Sequence, residues 1–219
     1  MDTMTRFGRA VVDWAAGGPA AAGAAVAARE LAAVAEVRTV VLVEGVSDRA
    51  AVEALAARRG RDLAAEGTAV VPLGGATSIG RFLALVGPQG LGIPVAGLCD
   101  AAEEGYFMRA LDRAGIGSPR TRAELAALGF HVCVADLEDE LIRSLGTDAV
   151  REVVDELGEG RSFRIFQKQP AQRDRAVEGQ LRRFMGTHSG RKEHYAGSLV
   201  GALAADRVPE PLDRLLAHV

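Results

Sequence analysis

The period of the hydrophobic positions changes along the chain. Four short apolar runs rich in Val, Ile and Leu recur at 38–43, 68–72, 93–98 and 131–134. Runs that are continuous rather than alternating mark strands buried on both faces, as in a parallel sheet. Between them apolar residues return at helical spacing, which predicts helices over 47–59, 78–86, 106–114 and 138–145. This alternation predicts an α/β fold, a four-stranded, mainly parallel sheet with helices on both faces. Beyond about residue 147 the strand signal stops. Helical patterns at 148–157, 171–185, 192–205 and 211–218 predict a helical C-terminal region. The Ala-rich stretch 15–35 predicts one packed helix with a frayed lead. Gly17-Gly18-Pro19 and the charged Arg29-Glu30 argue against a membrane span there. The expected organisation is a helical segment at 1–37, an α/β domain at 38–147 and a helical region at 148–219 packed on it.

Three of the strand ends carry carboxylates. Thr39-Val40-Val41-Leu42-Val43 runs into Glu44-Gly45-Val46-Ser47-Asp48, where Gly45 permits a tight turn and Ser47 or Asp48 can cap the next helix. The third strand leads into Asp100, followed by Glu103 and Glu104, and the fourth into Asp136, Glu138, Asp139 and Glu140. Capping by itself accounts for Asp48. Three acidic strand ends at one edge of a parallel sheet instead point to a shared cluster. Like charges held that close raise one another's pKa unless a cation compensates them, so the pattern implies Mg²⁺ or Mn²⁺.

Composition adds bounds. The 219 residues, 48% hydrophobic and 25% charged, suffice for a globular core, and with 5% aromatics that core must be Ala, Val and Leu. Cys99 and Cys133 fit no metal-ligand spacing. They read as buried reduced thiols of a cytoplasmic protein, able to face each other across the sheet. The first eight residues lack the basic start and apolar run of a secretory signal. A net charge of −3 argues against a uniformly basic nucleic-acid coat. Yet from Arg161 to Lys192 the basic residues Arg161, Arg164, Lys168, Arg173, Arg175, Arg182, Arg183, Arg191 and Lys192 face only Asp174 and Glu178. That stretch suits either a solvated helix face or a phosphate-backbone contact.

The Gly-rich stretch Pro72-Leu73-Gly74-Gly75-Ala76-Thr77-Ser78 lacks a Walker lysine and reads as a tight turn between strand and helix. His131 falls inside a strand, while His188 and His194 flank the basic stretch. No Ser/His/Asp arrangement emerges.

On these motifs the chain resembles a toprim domain of the kind carried by overcoming-lysogenization-defect (OLD) nucleases. VLVEGVSDRAAVEALA resembles the toprim glutamate motif, with Glu44 the family glutamate and Asp48 the aspartate four later. VPLGGATSIGRFLAL resembles the second strand and helix, and IPVAGLCDAAEEG stands in place of the aspartate motif. VCVADLEDELIRSLG resembles the later acidic segment, and SGRKEHYAGSLVGAL the helix supplying the family lysine, here Lys192. The resemblance implies a Mg²⁺- or Mn²⁺-dependent endonuclease acting on DNA or RNA. In it Glu44 and Asp100 hold one metal, and Asp48 and Glu138 help hold a second about 3.5–4 Å away. Lys192 neutralises the scissile phosphate and Arg191 anchors a flanking one; Arg182, Arg183 and Lys168 are further nucleic-acid contacts. The implied partner is nucleic acid, with any ATPase on a separate chain because no Walker motif appears; a homo-oligomer stays open. The Asp-x-Asp pattern is broken, since Ala101 and Ala102 follow Asp100, leaving Glu103 or Glu104 as the substitute ligand. The alternative is a non-catalytic nucleic-acid-binding or regulatory module with a degenerate metal site. Tyr106 and Tyr195 lack the context of a topoisomerase nucleophile, which favours hydrolysis over strand transfer.

Overall fold

The computed structural model describes residues 2–187 and 190–219, so His188 lies outside the described residues. Strands β1 (Thr39–Val43), β2 (Thr68–Pro72), β3 (Val95–Asp100) and β4 (Phe130–Cys133) form one all-parallel sheet in the order β2-β1-β3-β4. Successive side chains of a strand point to opposite faces. Val41, Val43, Ala96, Leu98 and Cys133 therefore enter one core, and Val40, Leu42, Val71, Cys99 and Phe130 the other. With apolar side chains on both faces, the strands read as unbroken hydrophobic runs. The two cysteines are free and lie in opposite cores, so they do not face each other as the sequence suggested.

The first core is covered by α3 (Val46–Arg58), α7 (Leu137–Leu145), α8 (Thr147–Glu156), α9 (Gly160–Gln167), α10 (Val177–Met185), α11 (Arg191–Ala202) and α12 (Glu210–His218). The second is covered by α1 (Thr3–Ala16), α4 (Ile79–Val86), α5 (Glu104–Arg113) and α6 (Arg122–Ala127), with α2 (Ala21–Val34) packed outside α1. Close approach at the centre of the sheet requires glycine at 97. A Cβ there would stand 2.6 Å from the Leu42 carbonyl oxygen and 2.8 Å from the Phe130 ring.

Several boundaries differ from the pattern reading. The N-terminal stretch is two helices, because Gly17 and Gly18 both adopt positive φ ahead of Pro19 and turn the chain. α1 starts far upstream, where the Asp2 carboxylate accepts the Thr5 N–H at 2.7 Å and buries Phe7 and Val11. The predicted helix 171–185 begins only at Val177. Ahead of it the buried Gln180 amide donates to the carbonyls of Gln172 (2.9 Å) and Arg175 (3.1 Å), holding that segment as a turn. α6 and α9 carried too short an apolar pattern to be read as helices. α6 nevertheless had its start signal, with Thr121 and Glu124 forming a capping box.

The strand order sets where a site can form. From β1 the chain crosses to β2 on one side, then returns past β1 to β3 on the other. The crevice of such a sheet opens at that reversal, beyond the C-terminal ends of β1 and β3. Glu44 directly follows β1 and Asp100 closes β3.

Candidate functional site

Glu44 and Asp100 meet across this switch point. Glu44 Oε1 accepts the Asp100 backbone N–H at 2.7 Å, tying the two strand ends together. α3 starts at Val46 with Gly45 as its cap residue, two to three residues earlier than Ser47 or Asp48 as caps would place it. Asp48 occupies the third helical position, and its Oδ2 reaches back to accept the Gly45 N–H at 2.7 Å. This bond stabilises the turn, yet Asp48 still lines the cleft.

The fourth expected carboxylate arrives from the other side. Asp136 caps α7 by accepting the Asp139 N–H at 2.8 Å, which brings Glu138 to the cleft floor, its side chain only 6% exposed. Glu44, Asp48, Asp100, Asp136, Glu138 and Lys192 line one cleft of about 390 Å³. Lys192 Nζ lies 3.2 Å from Glu138 Oε1 without hydrogen-bond geometry, so that buried oxygen has no hydrogen-bond donor. Asp136, absent from the expected set, holds Arg182 through two contacts to Oδ2, at 2.7 Å from Nε and 2.5 Å from Nη2.

The electrostatics follow from this crowding. Burial, reinforced by the charges of Glu138 and Glu44, pushes Asp48 up to about 7; the Gly45 N–H and Lys192 only partly oppose it. Burial and the charges of Glu44, Asp48, Asp136 and Glu138 push Asp100 up to about 8. Glu44 is raised too, by burial first and then by the neighbouring charges of Glu103, Asp136 and Glu138. In their charged form these groups call for a cation beyond Lys192, and without one their raised values let them retain protons instead. Oxygen donors around a hard divalent ion fit that need, and so does the orphaned buried oxygen of Glu138. Among the described residues no group of three His, Cys, Asp or Glu side chains is drawn together at metal-holding distances. The cluster is thus a cleft lined with oxygens and not a closed cage.

Other expected residues lie elsewhere. Glu104 turns to Arg122 (2.6 Å) and does not line the cleft, because α5 begins at that residue and rotates it outward. Glu103 contributes its charge to Glu44 and is partly buried. Arg191 is a structural anchor. Its side chain is 13% exposed and paired with Glu159 (3.1 Å), its Nη1 donates to the Phe184 carbonyl (3.2 Å), and its guanidinium lies over the Phe184 ring. Neighbours on a helix point about 100° apart, so Arg191 goes inward while Lys192 faces the cleft. Arg183 and Lys168 are exposed, whereas Arg173 and Arg175 donate to carbonyls of their own turn. Tyr195 is buried and donates to Glu159 at 2.8 Å, which removes it as a nucleophile. His131 is buried against His218, and His194 is exposed.

A larger cleft, about 990 Å³, runs along edge strand β2 between α1 and α3. Of its carboxylates Asp2, Asp13, Glu53 and Asp62, Asp13 and Glu53 sit within 4.0 Å of Arg9 and Arg49, and Arg61 lines it too, so its charge is more nearly balanced than that of the smaller cleft. Among the described residues no helix is long and apolar enough to cross a membrane.

Residues 37–101 match the family described as overcoming lysogenization defect protein-like, TOPRIM domain. No curated protein matches the chain. The C-terminal region of the Xanthomonas campestris pv. campestris OLD protein is similar over 85% of this chain and 93% of its own, at 25% identity and a TM-score of 0.68. The C-terminal region of the Burkholderia pseudomallei OLD protein shares the fold over 83% of this chain and 96% of its own, at 22% identity and a TM-score of 0.60. The matched segment runs from the entry of β1 to just past Asp100, the stretch that builds both sides of the switch point, and over it the chain is similar to the toprim domain of OLD proteins.

Proposed function

We propose that the protein is a divalent-metal-dependent nuclease that hydrolyses phosphodiester bonds of DNA or RNA in the β1–β3 cleft. The observation that carries this reading is a cleft where Glu44, Asp48 and Asp100 have no ion-pair partner among the described residues and Lys192 only partly offsets their charge. Glu44, Asp48 and Asp100 would hold Mg²⁺ or Mn²⁺, with Glu138 opposite. The ion would supply Lewis acidity toward a phosphate oxygen and toward water. Repulsion among the carboxylates repels bare phosphate and makes substrate entry depend on the ion.

The remaining steps belong to the chain's own groups. Lys192, held by Glu138, places an ammonium where charge develops on the scissile phosphate. Arg182, held by Asp136 and 44% exposed, presents its free edge to a flanking phosphate. Arg183 and Lys168, exposed on α10 and just after α9, would add further phosphate contacts. Arg191 leaves the contact set and supports Lys192 by fixing the start of α11.

A second reading rests on one observation. The position where Asp-x-Asp would place its second carboxylate is Ala102, and Glu104 is engaged with Arg122. A non-catalytic nucleic-acid-binding module would tolerate both. Plasmid and single-stranded substrates incubated with Mg²⁺, Mn²⁺ or EDTA separate the two readings. Cleavage with Mn²⁺ or Mg²⁺ that disappears in EDTA and in Glu44→Ala supports the nuclease. Binding without cleavage under every condition supports the module.

A further inference from the structure

The chain hides its aromatic rings with one exception. All seven phenylalanines and Tyr195 are buried, and Trp14 is partly covered by the second core. Tyr106 is 44% exposed. It lies in the first turn of α5, six residues beyond Asp100, and the Arg109 guanidinium stands 5.1 Å from its ring centroid. Packing does not explain this ring, because the core-facing residues of α5 are Phe107, Ala110 and Leu111.

The ring borders a groove of about 220 Å³ between α4 and α5, lined by Thr77, Gly80, Gln89, Tyr106, Arg109 and Arg113 among others. No carboxylate lines it, and among the described residues neither Arg109 nor Arg113 has an ion-pair partner. Arg113 also sits favourably in the last turn of α5, where the helix dipole welcomes a cation. Arg109 has no such local reason. The groove adjoins the cleft. Gly75 lines the cleft and Thr77 lines the groove, so at most about 7 Å of backbone separates them. Gly74, Gly75 and Gly80 have open space where a Cβ would stand, which leaves a bare floor along this path.

We propose that the α4–α5 groove binds unpaired nucleotides of the strand whose phosphate lies in the carboxylate cleft. A base stacks on the Tyr106–Arg109 pair and the arginines take the adjoining phosphates. Charge complementarity selects a polyanion, and an open ring face selects a base free of its complement. The groove lies on the opposite flank of the cleft from Arg182, so a strand can be gripped on both sides of the scissile bond. This inference rests on the nucleic-acid reading given above.

The test is fluorescence anisotropy of a labelled mixed-sequence single-stranded oligonucleotide with the full chain in EDTA at low salt. Tyr106→Ala is expected to weaken binding about tenfold. Tyr106→Phe should retain wild-type binding, because the ring and not the hydroxyl carries the contact. Arg109→Ala should reduce the slope of log affinity against log salt by about 0.7. Blunt duplex of the same length should bind wild type and Tyr106→Ala alike. Unchanged single-strand affinity in Tyr106→Ala, with wild-type binding intact, overturns the groove and leaves the nuclease reading standing. Failure of the wild-type chain to bind any nucleic acid, in EDTA and with Mg²⁺ alike, overturns both.

Discussion

The two walls of the cleft are built from the same side chains and treat their charge in opposite ways. On the α7 wall each carboxylate has a built-in partner, Asp136 with Arg182 of α10 and Glu138 with Lys192 of α11. On the strand-end wall Glu44, Asp48 and Asp100 accept or neighbour backbone N–H groups only, and all three are held above their ordinary carboxylate range. One wall is neutralised by the fold and the other leaves its charge for something that arrives from solution. The difference also separates two tasks. Under the proposed function, the helical layer delivers cations to the substrate and the sheet edge receives a metal.

Removing the unpaired wall should have the largest effect. Glu44→Ala is expected to lower metal-dependent cleavage at least about a hundredfold, because it takes away a proposed ion ligand and the side-chain bond that ties the ends of β1 and β3 together. Quantified plasmid nicking checks this, and wild-type rates in the variant would break the assignment of that wall.

On the paired wall, Lys192→Ala should lower cleavage by about 10²-fold. It also leaves the buried Glu138 without its cation. The lysine is nearly half exposed, so a discounted cost of about 1–2 kcal/mol is expected, seen as a lower urea midpoint. The double variant Lys192→Met with Glu138→Gln should recover stability without recovering cleavage. Recovery of both would show that the pair serves structure alone.

The walls should also differ in their pH response. Asp48 and Asp100 hold protons in the folded state up to about 7 and 8, against an ordinary aspartate value of 3.8. The folded chain therefore binds more protons across that window. Their stabilising contribution is complete below about pH 4 and is lost as pH rises toward 8. In EDTA the Tm should fall from pH 5 to pH 8.5, and Asp100→Asn should flatten the fall. A Tm that rises over this range would contradict the sign.

Arg182→Ala should have the smallest effect, a few-fold loss of nucleic-acid affinity with a shallower salt dependence. Its partner Asp136 stays 13% exposed and keeps its cap bond to Asp139, so folding should change little.

What could be read beforehand follows the range of each interaction. Strands, sheet class and acidic strand ends are local, because a parallel strand buried on both faces must be a continuous apolar run. Glu44, Asp48 and Asp100 were legible from that rule plus a glycine turn. Lys192 was not, since only tertiary packing brings α11 to the α3 and α7 side of the sheet; family resemblance alone pointed to it. Arg191 and Lys192 are neighbours of like charge, and no local signal says which faces inward. Asp136 was overlooked although its position ahead of a helix marks a cap, and its grip on Arg182 spans 46 residues. Glu104 was misplaced because the helix phase of α5 depends on where that helix starts.

The central claim is that the unpaired wall binds a divalent cation in exchange for protons. Calorimetric titration of Mn²⁺ into the chain at pH 7, repeated in two buffers of different ionisation enthalpy, measures binding and proton release together. The account predicts saturable binding with release of between about one and two protons, because at pH 7 Asp100 is mostly and Asp48 about half protonated before the ion arrives. It predicts loss of both signals in Asp100→Asn. Absence of binding to the wild-type chain, or binding that survives Asp100→Asn with no proton released, would contradict it.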